Sequence, residues 1–188
     1  MKQVVQNYRS GLLNVDEVPA PVLLSTGLLV RTHYSLISAG TEKTTVSVAK
    51  KSLVGKAMER PDMVEKVIRH AQKNGVSDAV RMVFDRLDSP AALGYTCAGA
   101  VIEVGNEVQG FRVGDRVACA GQDYASHADV VFAPKNLCVK IPDEVAFEDA
   151  AYVAVGAIAM QGIHQAELQL GETVAVIGLG LLGQLMVQ

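Results

Sequence analysis

The feature that most constrains the fold is the stretch TVAVIGLGLLGQLMVQ at residues 173–188. It begins with an apolar, β-branched run at residues 174–177, which predicts a strand buried on both faces. Three glycines follow with the spacing G-x-G-x-x-G, and residues 181–187 predict the first turns of a helix. A strand that enters a helix through such a motif is typical of an α/β domain.

Each glycine of the motif has a physical role. Gly178 allows a tight turn off the strand, Gly180 lets a pyrophosphate approach the backbone, and Gly183 lets the helix and strand pack closely. The helix N-terminus directs free N–H groups and a positive dipole end at phosphates. The motif therefore predicts a dinucleotide site with six binding residues: Gly178, Leu179, Gly180, Leu181, Leu182 and Gly183. The alternative is a glycine-rich turn that binds nothing.

The chain stops at Gln188, inside the predicted helix. A doubly wound domain needs several more strands, and the residue that separates NAD from NADP lies about 20 residues beyond the glycines. We therefore expect a fragment of a longer protein that is inactive alone, and a cofactor that is NAD or NADP.

Composition excludes several classes of protein. Of the 188 residues, 49% are hydrophobic and 20% are charged, as in soluble globular proteins. The net charge of -3 argues against nucleic-acid binding. The N-terminus lacks a signal-peptide pattern, and no apolar run is long enough to span a bilayer. We predict a cytoplasmic protein without a membrane partner.

Residues 1–37 predict short strands, among them residues 28–34, where His33 is interpreted as structural. Residues 45–90 then change character. Pro61 begins a helix that Gly75 can end, and Ser77 can cap a second helix. Apolar residues recur at helical spacing in both, so a helical hairpin is predicted. It is interpreted as a packed accessory lobe, with a substrate lid or a partner-docking surface as the alternative.

Residues 94–141 return to short strands with glycine turns, which predict a small, partly open barrel. An alanine-rich helix over residues 147–165 then leads to the glycine motif, with Gly156 and Gly162 allowing close helix packing. The domain boundary is placed near residues 142–147. Residues 1–145 are predicted to be a β-rich domain with the helical insertion, and residues 146–188 the start of a Rossmann domain.

This order of elements resembles the medium-chain dehydrogenase/reductase superfamily. Four segments carry the resemblance: EVPAP (17–21), GYTCAGAVIEVG (94–105), FRVGDRV (111–117) and GETVAVIGLGLLG (171–183). The second is similar to the family's G-H-E-x-x-G-x-V-x-x-V-G run and the third to its F-x-x-G-D-x-V turn. The resemblance implies a GroES-like substrate domain followed by a nicotinamide-binding Rossmann domain.

The sequence departs from the family at the catalytic zinc. Ala39 stands where the family's first Cys ligand is expected, and Tyr95 and Thr96 stand where His and Glu are expected. The third ligand's place falls near Val153 or Ala154. None of these side chains binds zinc by ordinary ligand chemistry, so no zinc is predicted.

The three cysteines, Cys97, Cys119 and Cys138, form no C-x-x-C pair and are interpreted as reduced thiols. A zinc site built from them is disfavoured, because two lie in predicted strand cores and no His lies beside them in the pattern.

Two hydroxyl groups are candidates for catalysis without zinc. Thr41 matches the position of the hydroxyl that relays a proton in zinc members, and Tyr95 places a phenol where the histidine ligand stood. The alternatives are that Thr41 caps the following helix and that Tyr95 fills the volume of the lost metal site.

The segment LVRTHYSLISAGTE at residues 29–42, with the helical insertion after it, also looks like bacterial bi-domain oxidoreductases. In these a zinc-free module precedes a Gfo/Idh/MocA-type module. The resemblance implies a zinc-independent NAD(P)-dependent oxidoreductase that forms a homo-oligomer. Its substrate would be a small molecule with a carbonyl or alcohol group, such as a sugar derivative. The alternatives are an enone or quinone reductase and a non-catalytic dinucleotide-binding or scaffolding module.

Overall fold

The computed structural model describes residues 1–51, 55, 58 and 61–188, which form two compact units. One unit contains Met1, Val18–Ile37 and Gly94–Gln188. The other contains Lys2–Glu17 and Ser38–Leu93. The predicted insertion at about residues 45–90 lies within the second unit, and residues 52–54, 56–57, 59 and 60 of it lie outside the described residues.

The first unit is built on a five-stranded antiparallel sheet with the order β7-β3-β5-β6-β8. Its strands are β3 (Gly27–Ser35), β5 (Thr96–Val104), β6 (Arg116–Ala120), β7 (Val130–Pro134) and β8 (Cys138–Lys140). Register shifts between Leu29 and Val30 and between Thr32 and Tyr34 interrupt the β3–β5 pairing. Because such irregularities bend a strand and increase its twist, they suit a curled sheet.

The core of this sheet consists of small and β-branched side chains. Leu28 and Val30 of β3, Val101 of β5 and Val117 of β6 are almost completely buried. Gly99 lies where β5 crosses β3, and a Cβ there would stand only 2.0 Å from the carbonyl oxygen of Arg31. Only glycine allows the two strands to approach so closely. The small, partly open barrel predicted from short strands and glycine turns is observed as this curled five-stranded sheet.

Helices follow the sheet in three pieces: α4 (Phe147–Ala150), α5 (Val153–Gln165) and α6 (Leu181–Val187). The prediction of a single helix over residues 147–165 is wrong, because a turn at residues 151–152 separates α4 from α5. Of the two glycines expected to allow close packing in α5, Gly162 does so, since a Cβ there would lie 2.6 Å from Met186 Cε of α6. Gly156 has open space instead.

The predicted strand at residues 174–177 does not form. Val174 is 51% and Ile177 is 99% exposed, and none of the described strands pairs with this segment. The reason is that a parallel strand exists only beside neighbouring strands, which supply its hydrogen bonds and cover both its faces.

The second unit contains a three-stranded sheet with the order β2-β1-β4. Its elements are β1 (Lys2–Asn7), β2 (Leu13–Glu17), α1 (Ala39–Ala49), α2 (Pro61–Asn74), α3 (Val76–Asp88) and β4 (Pro90–Ala92). The predicted helical hairpin is α2 and α3. The cap predicted at Ser77 is wrong: α3 begins at Val76 and its N-cap is Gly75, whose φ of 94° is a conformation that glycine adopts readily.

Within the described residues, every helix is too short or too polar to cross a membrane.

Candidate active site

Tyr95 stands directly before β5, and its neighbours fix its backbone. The Tyr95 carbonyl oxygen accepts a hydrogen bond from the Gly121 N–H at 2.9 Å. The buried Thr96 hydroxyl donates to the Ala151 carbonyl oxygen at 2.7 Å. Thr96 therefore ties the start of β5 to the break between α4 and α5, two residues before Val153. These two hydrogen bonds fix the backbone of Tyr95, whose side chain is half-buried.

A histidine that the sequence analysis did not single out packs against Gly94, the residue before Tyr95. His127 is 9% exposed, and its Nδ1 lies 2.8 Å from Ser35 Oγ, so one of the two donates a hydrogen bond to the other. A Cβ at Gly94 would lie 3.0 Å from the ring carbons of His127 and 2.8 Å from its backbone nitrogen. Gly94 also has a φ of 96°. The imidazole therefore packs against the residue before Tyr95, at a position that requires glycine.

His33, interpreted as structural, stacks on the Phe147 ring with centroids 4.4 Å apart and an interplanar angle of 14°. This packing agrees with that interpretation.

Thr41, the other predicted catalytic residue, lies in the second unit, in the first turn of α1. The N-cap of α1 is Ser38, whose N–H donates to Glu42 Oε1 at 3.0 Å. Ser38 Oγ lies 3.4 Å from Thr41 Oγ1, and the Thr41 carbonyl oxygen accepts from Thr45 Oγ1 at 3.1 Å. Thr41 is exposed and is not the N-cap, so the alternative that it caps the helix is wrong. Because Thr41 and Tyr95 belong to different units, their joint action stays a prediction.

The predicted places of the zinc ligands hold Ala39, Tyr95 and the pair Val153 and Ala154. None offers a thiolate, imidazole or carboxylate. In the part of the chain that the structure describes, no three His, Cys, Asp or Glu side chains are grouped so as to hold a metal ion. The four residues at these positions therefore do not supply the ligand set of a catalytic zinc, and the absence of zinc stays a prediction.

The glycine motif has the turn geometry expected of it although the predicted strand before it does not form. Gly178 has a φ of 94°, and a Cβ at Gly183 would lie 1.9 Å from the Gly178 carbonyl oxygen. Gly180 is the N-cap of α6, with nothing within 4 Å of a Cβ position. The turn therefore needs glycine at its first and third positions and leaves open space at the second.

Ser35 and His127 escaped the sequence analysis because 92 residues separate them. A spacing pattern within a short stretch of sequence cannot predict a contact between residues so far apart. The one available signal was a histidine between small residues, Ser126 and Ala128, in front of a strand.

Residues 68–143 match the alcohol dehydrogenase GroES-like domain. The match begins inside α2, and it covers β4 to β8 and therefore both Tyr95 and His127. It confirms the predicted α/β fold with a GroES-like sheet.

Curated relatives match about half of the chain. The (R,R)-butanediol dehydrogenase of Bacillus subtilis is 29% identical over 123 residues, which is 53% of this chain and 36% of that protein. The highly reducing polyketide synthase phiA of a fungal species is 42% identical over 100 residues, which is 51% of this chain and 4% of that protein. The chain thus spans about a third of the length of the first and a small part of the second.

Among solved structures, the quinone oxidoreductase from Coxiella burnetii superposes with a TM-score of 0.63 at 22% identity. The superposition covers 92% of this chain and 47% of that one, and it shows a shared fold. The GroES-like match and the similarity to the butanediol dehydrogenase agree with the predicted resemblance to the medium-chain dehydrogenase/reductase superfamily.

Proposed function

We propose that this chain carries the substrate domain and the first part of the dinucleotide domain of a zinc-independent, NAD(P)-dependent oxidoreductase. The observation that carries the proposal is a contrast between two sites. The positions expected for the family's zinc ligands hold Ala39, Tyr95 and Val153 or Ala154. The glycine motif, in contrast, has a positive φ at its first glycine, open space at its second and close packing at its third, as a dinucleotide turn requires.

The motif fits a pyrophosphate. Gly180 leaves space against the backbone at the start of α6, and Gly183 allows α6 to approach the Gly178 carbonyl oxygen. Gly178, Leu179, Gly180, Leu181, Leu182 and Gly183 would line the phosphate end of the cofactor. When bound, the nicotinamide supplies the hydride chemistry, and the protein supplies binding, orientation and electrostatics.

Without zinc, hydrogen bonds from hydroxyl groups and the main chain are the means of polarising a substrate oxygen. Tyr95 offers a phenol O–H on a backbone held by Gly121 and, through Thr96, by Ala151. Thr41 offers a second hydroxyl in α1. We propose that Tyr95 donates a hydrogen bond to the substrate oxygen and that Thr41 relays the proton.

The proposed substrate is a small molecule with a carbonyl or alcohol group, and a sugar derivative is the first class to screen. The second candidate is an enone or quinone reductase, and the fold shared with the quinone oxidoreductase is the reason to test it. A non-catalytic dinucleotide sensor or scaffold is the third. A cytoplasmic homo-oligomer with a following Gfo/Idh/MocA-type module belongs to the same proposal.

The test measures the binding of NADH and NADPH to the full-length protein, with nicotinamide fluorescence as the readout. A Gly180→Asp variant places a carboxylate against the pyrophosphate, and we expect it to weaken binding by more than about tenfold. Gly156→Asp is the matched control, because Gly156 also has open space around it but belongs to α5 and not to the motif. A metal assay of the purified protein accompanies both.

Binding that is lost in Gly180→Asp and kept in Gly156→Asp, without stoichiometric zinc, would support the proposal and justify a substrate screen. Absence of binding in the wild type would refute the enzyme hypothesis. Stoichiometric zinc would refute the zinc-independent mechanism while leaving dinucleotide binding intact.

A further inference from the structure

The three cysteines of the chain lie side by side on adjacent strands. Cys97 of β5 is the register partner of Cys119 in β6, and Cys119 is the register partner of Cys138 in β8. Facing residues of antiparallel strands have Cα atoms about 4.5 or 5.5 Å apart. Both spacings lie within the range of about 4.4–6.8 Å that a disulfide spans. All three are free thiols, and the sulfur atoms of Cys119 and Cys138 are 3.7 Å apart.

These thiols differ in accessibility. Cys97 is completely buried and Cys119 is 2% exposed. Cys138 is partly exposed, at the first residue of the edge strand β8. A solute oxidant therefore reaches Cys138 first.

The thiols also differ in acidity. The hydrogen bond from Cys119 lowers the pKa of Cys138 below its ordinary value, and burial opposes this effect. The pKa of Cys119 is raised by the same hydrogen bond, and further by Cys97 and burial. The Pro134 carbonyl oxygen, 3.4 Å from Cys138 Sγ, accepts from the thiol form and so works against the thiolate. Since the thiolate is the nucleophile, Cys138 is the more reactive sulfur of the pair.

We propose that Cys138 is a site of oxidation by hydrogen peroxide and that Cys119 resolves the product to a disulfide. The Cys138 thiolate attacks one peroxide oxygen, so an S–O bond forms, the O–O bond breaks, and hydroxide leaves and takes up a proton. Cys119 then attacks the sulfenic sulfur, so the S–S bond forms and the S–O bond breaks. The leaving hydroxide takes the Cys119 proton. Two thiols and one peroxide thus give one disulfide and two water molecules.

The disulfide would close a loop that contains β7 and His127. It would join β6 to the edge strand β8 and so restrain both ends of the segment that places His127 against Gly94. Oxidation thereby acts on the chain beside Tyr95. The proposal does not depend on the proposed function, because its readout is chemical.

The experiment treats the full-length protein with hydrogen peroxide and follows this part of the chain by two measurements. The first counts its free thiols after denaturation, by mass spectrometry of the alkylated peptides; we expect the three of the wild type to fall to one. The second is a non-reducing tryptic map. Cys119 lies in the peptide 117–135 and Cys138 in the peptide 136–140, whereas Cys97 lies in the peptide 87–112. The expected disulfide joins 117–135 to 136–140.

Variants separate the two steps. In Cys119→Ala, Cys138 has no resolving thiol, and we expect a sulfenic acid there that dimedone traps. In Cys138→Ala, both remaining thiols stay reduced. Cys97→Ala is the matched control, because it removes a neighbouring buried thiol and still forms the disulfide, so its two thiols fall to none.

A disulfide between the peptides 87–112 and 117–135 would overturn the proposal, and so would three thiols that stay free in the wild type. Oxidation of Cys138 to sulfinic acid without a disulfide would overturn the resolving role of Cys119. The wild-type peptide map decides the matter even if a variant fails to fold.

Discussion

Arg116 holds the connection between β8 and α4, where the domain boundary was predicted. Its guanidinium donates hydrogen bonds to three carbonyl oxygens of the connection, at 3.2 Å to Pro142, at 2.9 Å to Asp143, and to Val145. Its Cζ lies 4.6 Å from the centroid of the Phe147 ring, in α4. One side chain of the sheet thus binds three carbonyl oxygens of this connection.

We expect Arg116→Ala to lower the free energy of unfolding by about 2–4 kcal/mol. Each charge-assisted hydrogen bond contributes about 0.5–1 kcal/mol here, because the released carbonyl oxygens are accessible to water and regain part of the loss. The contact with the Phe147 ring adds about 0.5–1 kcal/mol. Arg116→Lys keeps the charge but not the planar fork, so we expect about half of that loss.

The assay is equilibrium unfolding in urea, compared at an unchanged dependence on denaturant. Arg112→Ala is the matched control. The Arg112 side chain is 88% exposed and contacts Asp115 at 3.3 Å, so its removal is expected to cost less than about 0.5 kcal/mol. A second probe is cleavage after Glu144 by a glutamyl protease, which becomes faster in Arg116→Ala if the connection opens locally.

Three results would refute the reasoning. Arg116→Ala within about 0.5 kcal/mol of the wild type would show that the hydrogen bonds add nothing net. An Arg116→Lys variant as stable as the wild type would show that the fork geometry is irrelevant. An equal loss in Arg112→Ala would mean that general charge, and not these contacts, sets the effect.

Two further predictions concern stability. Gln6 is completely buried, and within the described residues neither the oxygen nor the nitrogen of its side-chain amide makes a hydrogen bond. Gln6→Met has a similar volume and removes these polar atoms, so we expect it to raise the free energy of unfolding by about 1–3 kcal/mol. A lower melting temperature would contradict this. The pKa of Asp115 lies below its ordinary value of 3.8, chiefly through the hydrogen bond from Lys140 at 2.7 Å. The stability that it adds is therefore complete above about pH 4 and is lost as the pH falls through the lower folded pKa. Asp115→Asn should be less stable at neutral pH and flatter in acid; urea midpoints from pH 2 to 7 test this, and parallel profiles would refute it.

Local patterns predicted the elements that local physics determines. The helical spacing after Pro61 and after Gly75 gave α2 and α3, and the FRVGDRV turn precedes β6 with Gly114 at a φ of 91°. The cap at Ser77 failed because a glycine with positive φ already starts α3. The strand at residues 174–177 failed because its formation depends on partner strands and not on its own apolar residues.

The candidate site was predicted only in part, because its contacts are long-range. Tyr95 was proposed as a site residue from its place in a motif, and its role stays a prediction. The hydrogen bond from Thr96 to Ala151 spans 55 residues, and no periodicity encodes it. The cysteines were correctly interpreted as free thiols, but the pairing of Cys119 with Cys138 follows from the register of β6 and β8, which the sequence alone does not determine.

The small-residue cluster where α4 meets the sheet has a consequence for building chimeras. Ala150 and Ala151 are buried against Ala98, Ala118 and Ile141, so the sheet of the GroES-like part and the chain that leads to the glycine motif share one interior. A splice at residues 145–146 would separate Ala150 and Ala151 from the sheet residues that they bury, so the apolar face of the sheet would lose its matching partners. A chimera that keeps this interior intact therefore needs a junction beyond α5, so that the sheet retains its own Ala150 and Ala151.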